Sequence, residues 1–345
     1  MRPSRLRRAT ALLAALALAL TACGGEDDGG ATDGTETPGD ATDGADGQAD
    51  GADGQADAAS QELGISVASF DLAVGEDRRL IAGVQTADLG LVGFGEVSFQ
   101  IGYLGEDQAA SEPVEVTTAT ATFLPVPGME PEAEDPGQPT VLLGQEGTGV
   151  YEARVDLAEP GFYGLRVVAE LEDGTSREGQ AMFQVLPEAL VPQVGSAAPA
   201  TENLTIADVE AGEVDPRVVD SRAQGDNELD PRLHDTVIAE ALEAGRPVVV
   251  AVSTPVYCVS RFCGPLVEEV TELAETYGDA ADFVHLEVWE NFDEQALNAA
   301  ASEWIQTEIG GNEPWVFLVD GEGTIVGRWD NVLDVAELEE QLQAL

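Results

Sequence analysis

From Leu63 to Leu186 apolar and polar positions alternate in short runs, the two-residue period of a half-buried strand. The runs cover Ile65–Leu72, Asp77–Thr86, Glu96–Leu104, Val114–Phe123, Gly149–Leu157, Gly161–Glu170 and Gly179–Val185, with Gly, Pro and Asp between them. Strands this short and this regularly punctuated predict an all-β sandwich. Asp173-Gly174 marks a tight turn near its end, and the Pro- and Glu-rich stretch 125–139 reads as an exposed loop. Beyond Arg232 the period changes. Leu233, Val237, Ile238, Ala241 and Leu242 fall on one helical face, which predicts a helix over 232–244 stopped by Gly245. Strand and helix then alternate: strand 247–253, helix 265–277, strand 282–289, helix 293–305, strands 315–319 and 324–329 joined by a turn at 320–323, and helix 334–344.

The first residues follow neither pattern. Arg2, Arg5, Arg7 and Arg8 precede an apolar run from Ala9 to Leu20, too short to span a bilayer as a stable helix, and the segment reads as a secretory signal. Its end, Leu20-Thr21-Ala22-Cys23, resembles the lipobox of bacterial lipoproteins. The resemblance implies cleavage before Cys23, a lipid on that cysteine, and attachment to the extracytoplasmic face of the cell membrane. The alternative is ordinary cleavage after Ala22 with Cys23 left as a thiol. Residues 24–62 are almost entirely Gly, Ala, Asp, Thr and Gln, and a segment so poor in apolar side chains predicts a disordered, self-repelling acidic tether.

Charge narrows the partners. The chain has 66 acidic and 15 basic residues, the latter all Arg, for a formal charge of −51. Such a surface repels phosphate backbones and anionic headgroups, which excludes nucleic acid as a partner. It is also the kind of surface found on salt-adapted proteins.

The candidate chemistry lies in Pro247–Pro265, P-V-V-V-A-V-S-T-P-V-Y-C-V-S-R-F-C-G-P, where an apolar strand leads into a loop with two cysteines. Four residues separate Cys258 from Cys263. On a regular helix residues five apart point roughly 140° from each other, so the pair could not bridge there. Gly264-Pro265 resolves this, because proline favours the first helical position and leaves both cysteines in the loop. A Cys258–Cys263 disulfide is the expectation, since an exported chain meets oxidising conditions and the lipobox resemblance implies that Cys23 carries lipid.

The order of elements over 229–345, the segment S-T-P-V-Y-C and Pro314 in G-G-N-E-P-W-V-F-L-V-D resemble a thioredoxin-like domain, and V-G-S-A-A-P at 194–199 resembles the lead-in to many of them. The last three predicted strands of the first half likewise resemble the closing strands of immunoglobulin-like domains of bacterial envelope proteins. The thioredoxin-like resemblance implies that Cys258 is the nucleophile, Cys263 the resolving cysteine and Pro314 a cis-proline packed against them. Arg261 and the helix dipole would support the thiolate. The spacing departs from the family's Cys-x2-Cys, so a purely structural staple stays open. Glu287 shares a strand face with His285, which leaves copper handling as a lesser reading, while His234 reads as a surface residue. Trp315, beside Pro314, is a candidate for a substrate-facing groove.

The expected organisation is a signal peptide at 1–22, a tether at 23–62, an immunoglobulin-like sandwich at 63–190, a linker at 191–228 and an α/β thioredoxin-like domain at 229–345. The expected function is thiol–disulfide exchange with envelope proteins, without cofactor or resident metal. The alternative is a non-catalytic binding lipoprotein with a structural disulfide.

Overall fold

A computed structural model describes residues 62–345, apart from 108–112, 143–146, 226, 259–261 and 308–311. The signal segment, Cys23, nearly all of the tether and Arg261 lie outside the described residues.

The alternating half folds as β1 (Leu63–Val67), β2 (Gly75–Thr86), β3 (Leu91–Gly93), β4 (Glu96–Gly105), β5 (Val114–Pro125), β6 (Thr140–Leu142), β7 (Gly149–Leu157), β8 (Gly161–Glu170) and β9 (Ser176–Val185). They form one nine-stranded sheet in the order β6-β3-β2-β7-β5-β4-β8-β9, with β1 pairing β2 off that path. Every pairing is antiparallel. Period-two alternation has its expected effect in β8, where every second residue from Phe162's neighbours Gly161 and Tyr163 onward is buried. The β8–β9 hairpin turns at Asp173-Gly174, with Gly174 at a φ of 81° that favours glycine. An isolated bridge between Glu62 and Glu178 sets the start of β1 beside β9, so the sheet curls back towards its own edge. Leu80, Phe99, Tyr151, Leu165 and Val167 form the core within it.

These pairings correct the expected immunoglobulin-like sandwich. Because β5 pairs both β4 and β7, and β7 pairs β2, the hydrogen-bond ladder runs unbroken and never divides into two facing sheets. Seven of the strands overlap the predicted runs, whereas β3, β6 and the partnering of the sheet depart from the expectation.

The second half contains α1 (Ile206–Glu210), α2 (Pro231–His234), α3 (Ile238–Glu243), β10 (Val248–Ser253), α4 (Cys263–Tyr277), β11 (Asp282–Glu287), the short pair β12 (Trp289–Asn291) and β13 (Ala296–Leu297), α5 (Ala299–Ser302), β14 (Trp315–Val319), β15 (Ile325–Asp330) and α6 (Val335–Ala344). β11, β10, β14 and β15 form a four-stranded sheet in that order, with β10 and β11 parallel and the other pairs antiparallel. All six residues of β10 are buried, as suits an unbroken apolar strand with both faces covered. Val248, Val250 and Val252 pack with Trp304, Trp315 and Phe317. Val249 and Ala251 face the other way, onto Leu266, Val267 and Val270 of α4 and Leu338 of α6.

An α/β thioredoxin-like domain is not evident, and that expectation is also corrected. The described residues are mainly strand, dominated by the nine-stranded antiparallel sheet, and the helices are few; only α4 and α6 are longer than six residues. The helix predicted over 232–244 is cut in two because Asn203, far away in sequence, caps the break. Its Oδ1 accepts from the Ile238 amide at 2.8 Å and its Nδ2 donates to the Thr236 carbonyl at 2.9 Å. The helix predicted over 293–305 gives way to the β12–β13 pair, and only Ala299–Ser302 is helical, started by the Asn298 side chain accepting from the Ala300 amide at 3.0 Å.

Candidate functional site

β10 carries the chain to Ser253, and a turn at 255–257 brings Cys258 back, its amide donating to the Thr254 carbonyl at 3.0 Å. Cys263 is the first residue of α4, so the helix opens on the second cysteine and not after it. The two cysteines are joined in a disulfide with Cα atoms 6.1 Å apart, inside the span of roughly 4.4–6.8 Å that such a bond requires. The two cysteine residues differ in exposure. Cys258 is half-buried, whereas Cys263 is fully buried.

Across from them the Glu313–Pro314 peptide bond is cis and leads into β14. It places a carboxylate oxygen of Glu313 within 4.8 Å of both sulfurs. Burial, reinforced by the charge of Glu287, pushes the Glu313 carboxyl up to about 7. Glu287 is itself buried, which raises its carboxyl, and its oxygens accept from the Ser221 amide at 2.9 Å and the Trp289 amide at 3.3 Å. On the outer side of the loop Val256 is exposed, and the Tyr257 ring stacks on exposed Phe292 at 4.2 Å. Trp289 meets the same Phe292 edge-on at 5.5 Å. The disulfide therefore has a carboxyl on its inner side and an aromatic surface beside its accessible cysteine.

Of the residues singled out from sequence, Cys258, Cys263 and Pro314 come together here. Trp315 does not line a groove. It is buried between Phe317 and Phe70, at 5.7 and 5.8 Å, with the Arg328 guanidinium 4.7 Å from its ring. His285 and Glu287 share a strand, and the contacts of His285 run to a second cluster.

That second cluster joins His285 to His234 and Asp220, all three buried. His234 is thus no surface residue. Its Nε2 lies 3.1 Å from His285 Nδ1, and Asp220 Oδ2 is 3.7 Å from the first nitrogen and 3.8 Å from the second. Burial lowers both imidazoles, His285 to about 3. Burial opposes ionisation of Asp220 as well, yet the histidine and Arg222 hold its carboxyl below the usual range. Glu313, Asp220 and the burial of His234 were not readable from local pattern. The signals available were that Glu313 directly precedes Pro314, and that the chain has only two histidines.

Comparison with protein-family models, curated proteins and solved structures finds no match to this chain.

Proposed function

We propose that the chain is a thiol–disulfide exchange protein that works on other proteins outside the cytoplasm, held to the membrane by a lipid on Cys23. The observation that carries this reading is the unequal exposure of a disulfide flanked by a carboxyl group poised near neutrality: Cys258 half-buried, Cys263 fully buried, Glu313 beside both.

In the reduced protein the Cys258 thiolate attacks one sulfur of a partner disulfide. That bond breaks, a mixed disulfide forms, and the departing partner thiolate takes a proton. Cys263, at the start of α4, then loses its proton to the Glu313 carboxylate and attacks the Cys258 sulfur. The partner's second thiolate leaves, two electrons have passed to the partner, and the Cys258–Cys263 disulfide is restored. A dithiol of another envelope protein returns it to the reduced state; run in reverse, the same steps oxidise a partner dithiol. Val256, Tyr257 and Phe292 give the apolar part of a partner chain a surface next to the attacking sulfur.

The rival is a binding protein in which the bond is a permanent staple. Turnover separates them. The proposal expects the reduced mature chain to accelerate opening of the insulin interchain disulfides, and Cys258→Ser to abolish the acceleration. Equal rates with the wild type, with Cys258→Ser and without protein would leave the staple reading.

A further inference from the structure

The Asp220–His234–His285 cluster plays no part in the chemistry above, and its hydrogen bonds are unbalanced. His234 Nδ1 donates to the Asp230 carbonyl at 2.9 Å, and His285 Nε2 donates to the Ser253 carbonyl at 3.2 Å. A carbonyl can only accept, so these contacts fix both tautomers. The two ring nitrogens that face each other, His234 Nε2 and His285 Nδ1, are then both lone-pair acceptors, 3.1 Å apart. Asp220 Oδ2 brings a third acceptor to the same point. A single proton on the line between the nitrogens would satisfy that pair and leave the carboxylate oxygen off the line. A cation in the centre would take both nitrogen lone pairs and a further lone pair of the carboxylate oxygen, which already accepts from Arg222.

We propose that Asp220 Oδ2, His234 Nε2 and His285 Nδ1 bind one divalent metal ion of the zinc class, with a fourth position open to water. The spacing is close, because ligands about 2.0–2.2 Å from a tetrahedral zinc stand roughly 3.3–3.6 Å apart, and the separations here, 3.1, 3.7 and 3.8 Å, need shifts of only a few tenths of an ångström. Two imidazoles and a carboxylate are the donors such an ion takes. The outer contacts fit as well: each imidazole is oriented by a carbonyl on its other nitrogen, and Arg222 grips both oxygens of Asp220 at 2.7–3.2 Å. The three ligands come from separate segments: Asp220 from the stretch after the turn Pro216–Val218, His234 from the end of α2 and His285 from β11. A cavity of about 780 Å³ reaches Asp220, while both imidazoles lie buried behind it. Asp220 lies on its wall with Glu228, Asp230, Glu268, Glu272 and Glu275 against two arginines, Arg222 and Arg232, so the lining keeps an acidic excess that favours cations.

The test uses the full mature chain with its disulfide intact, Zn²⁺ in competition with a chromophoric chelator, and excess Mg²⁺ to occupy surface carboxylates. One equivalent of zinc should bind, Asp220→Asn and His234→Gln should each abolish that equivalent, and Cys258→Ser/Cys263→Ser should keep it. Circular dichroism checks that each variant is folded. X-ray absorption on the zinc-loaded wild type, which needs no variant, should give two imidazoles and oxygen at about 2.0–2.2 Å. Zinc displaced by Mg²⁺, binding that survives His234→Gln, or sulfur at about 2.3 Å in the absorption spectrum would each overturn the site. Either result leaves the exchange reading to its own experiment.

Discussion

Arg79 on β2 donates through Nη1 to Asp330 on β15, 3.0 Å to its Oδ1 and 2.9 Å to its carbonyl, and so ties the nine-stranded sheet to the four-stranded one. The same guanidinium meets Glu152 of β7 at 2.7 Å and the Val332 carbonyl at 2.7 Å, all in a buried setting. Burial works against its charge, but the two carboxylates outweigh that and raise its pKa.

Replacing Arg79 by Met should therefore be costly, because buried Asp330 would lose its cationic partner and half-buried Glu152 would keep only the longer contact to Arg154 at 3.5 Å. The expected loss is about 3–5 kcal/mol in urea unfolding, with little dependence on salt up to molar concentrations. A loss below about 1 kcal/mol would show that the ion pairs are loosely solvated.

Glu313 predicts a pH dependence with a definite sign. Its folded pKa of about 7 lies above the ordinary carboxylate value of 4.5, so between those limits the folded chain binds more protons than the unfolded one. Stability should fall as pH rises through that window, and Glu313→Gln should remove the fall, making the variant the more stable form at pH 8 by on the order of 1–3 kcal/mol. In the exchange reaction proposed above the sign is opposite, because there the carboxylate would act as the base. The rate should rise through about pH 7 in the wild type and lose that limb in Glu313→Gln. Unfolding and rate profiles from pH 5 to 9 check both.

Much of the strand layout could be read from sequence, because period-two burial is local: β7, β8 and the Asp173-Gly174 turn follow directly from it. The three-residue strands β3 and β6 carry too little pattern to be seen. Sheet partnering is a non-local choice, and alternation cannot tell one curled nine-stranded sheet from two facing ones. The long helices α4 and α6 show their apolar faces, whereas the helix expected over 232–244 is broken by Asn203 from outside it. Distance in sequence hid the sites in the same way. Cys258 and Cys263 are five positions apart and declare themselves, but Glu313 reaches them from another strand, and His234 finds His285 across 51 positions.

The two cysteines should behave differently when changed one at a time. With Cys258 attacking and Cys263 resolving, as proposed, Cys263→Ser should accumulate mixed disulfides with partner proteins, visible as reducible adducts on non-reducing gels. Cys258→Ser should accumulate none, because Cys263 is buried. Either change also opens a small loop, with an expected stability loss of about 2 kcal/mol relative to the oxidised wild type. Adducts on Cys258→Ser equal to those on Cys263→Ser would reverse the assignment of the attacking sulfur.

The most direct measurement is the reduction potential of the Cys258–Cys263 pair in the folded mature chain, equilibrated against glutathione or dithiothreitol buffers. Thiol–disulfide exchange predicts a value between roughly −270 and −120 mV, where the bond opens and closes against protein partners, and a value below about −300 mV would contradict it and mark the disulfide as a permanent staple.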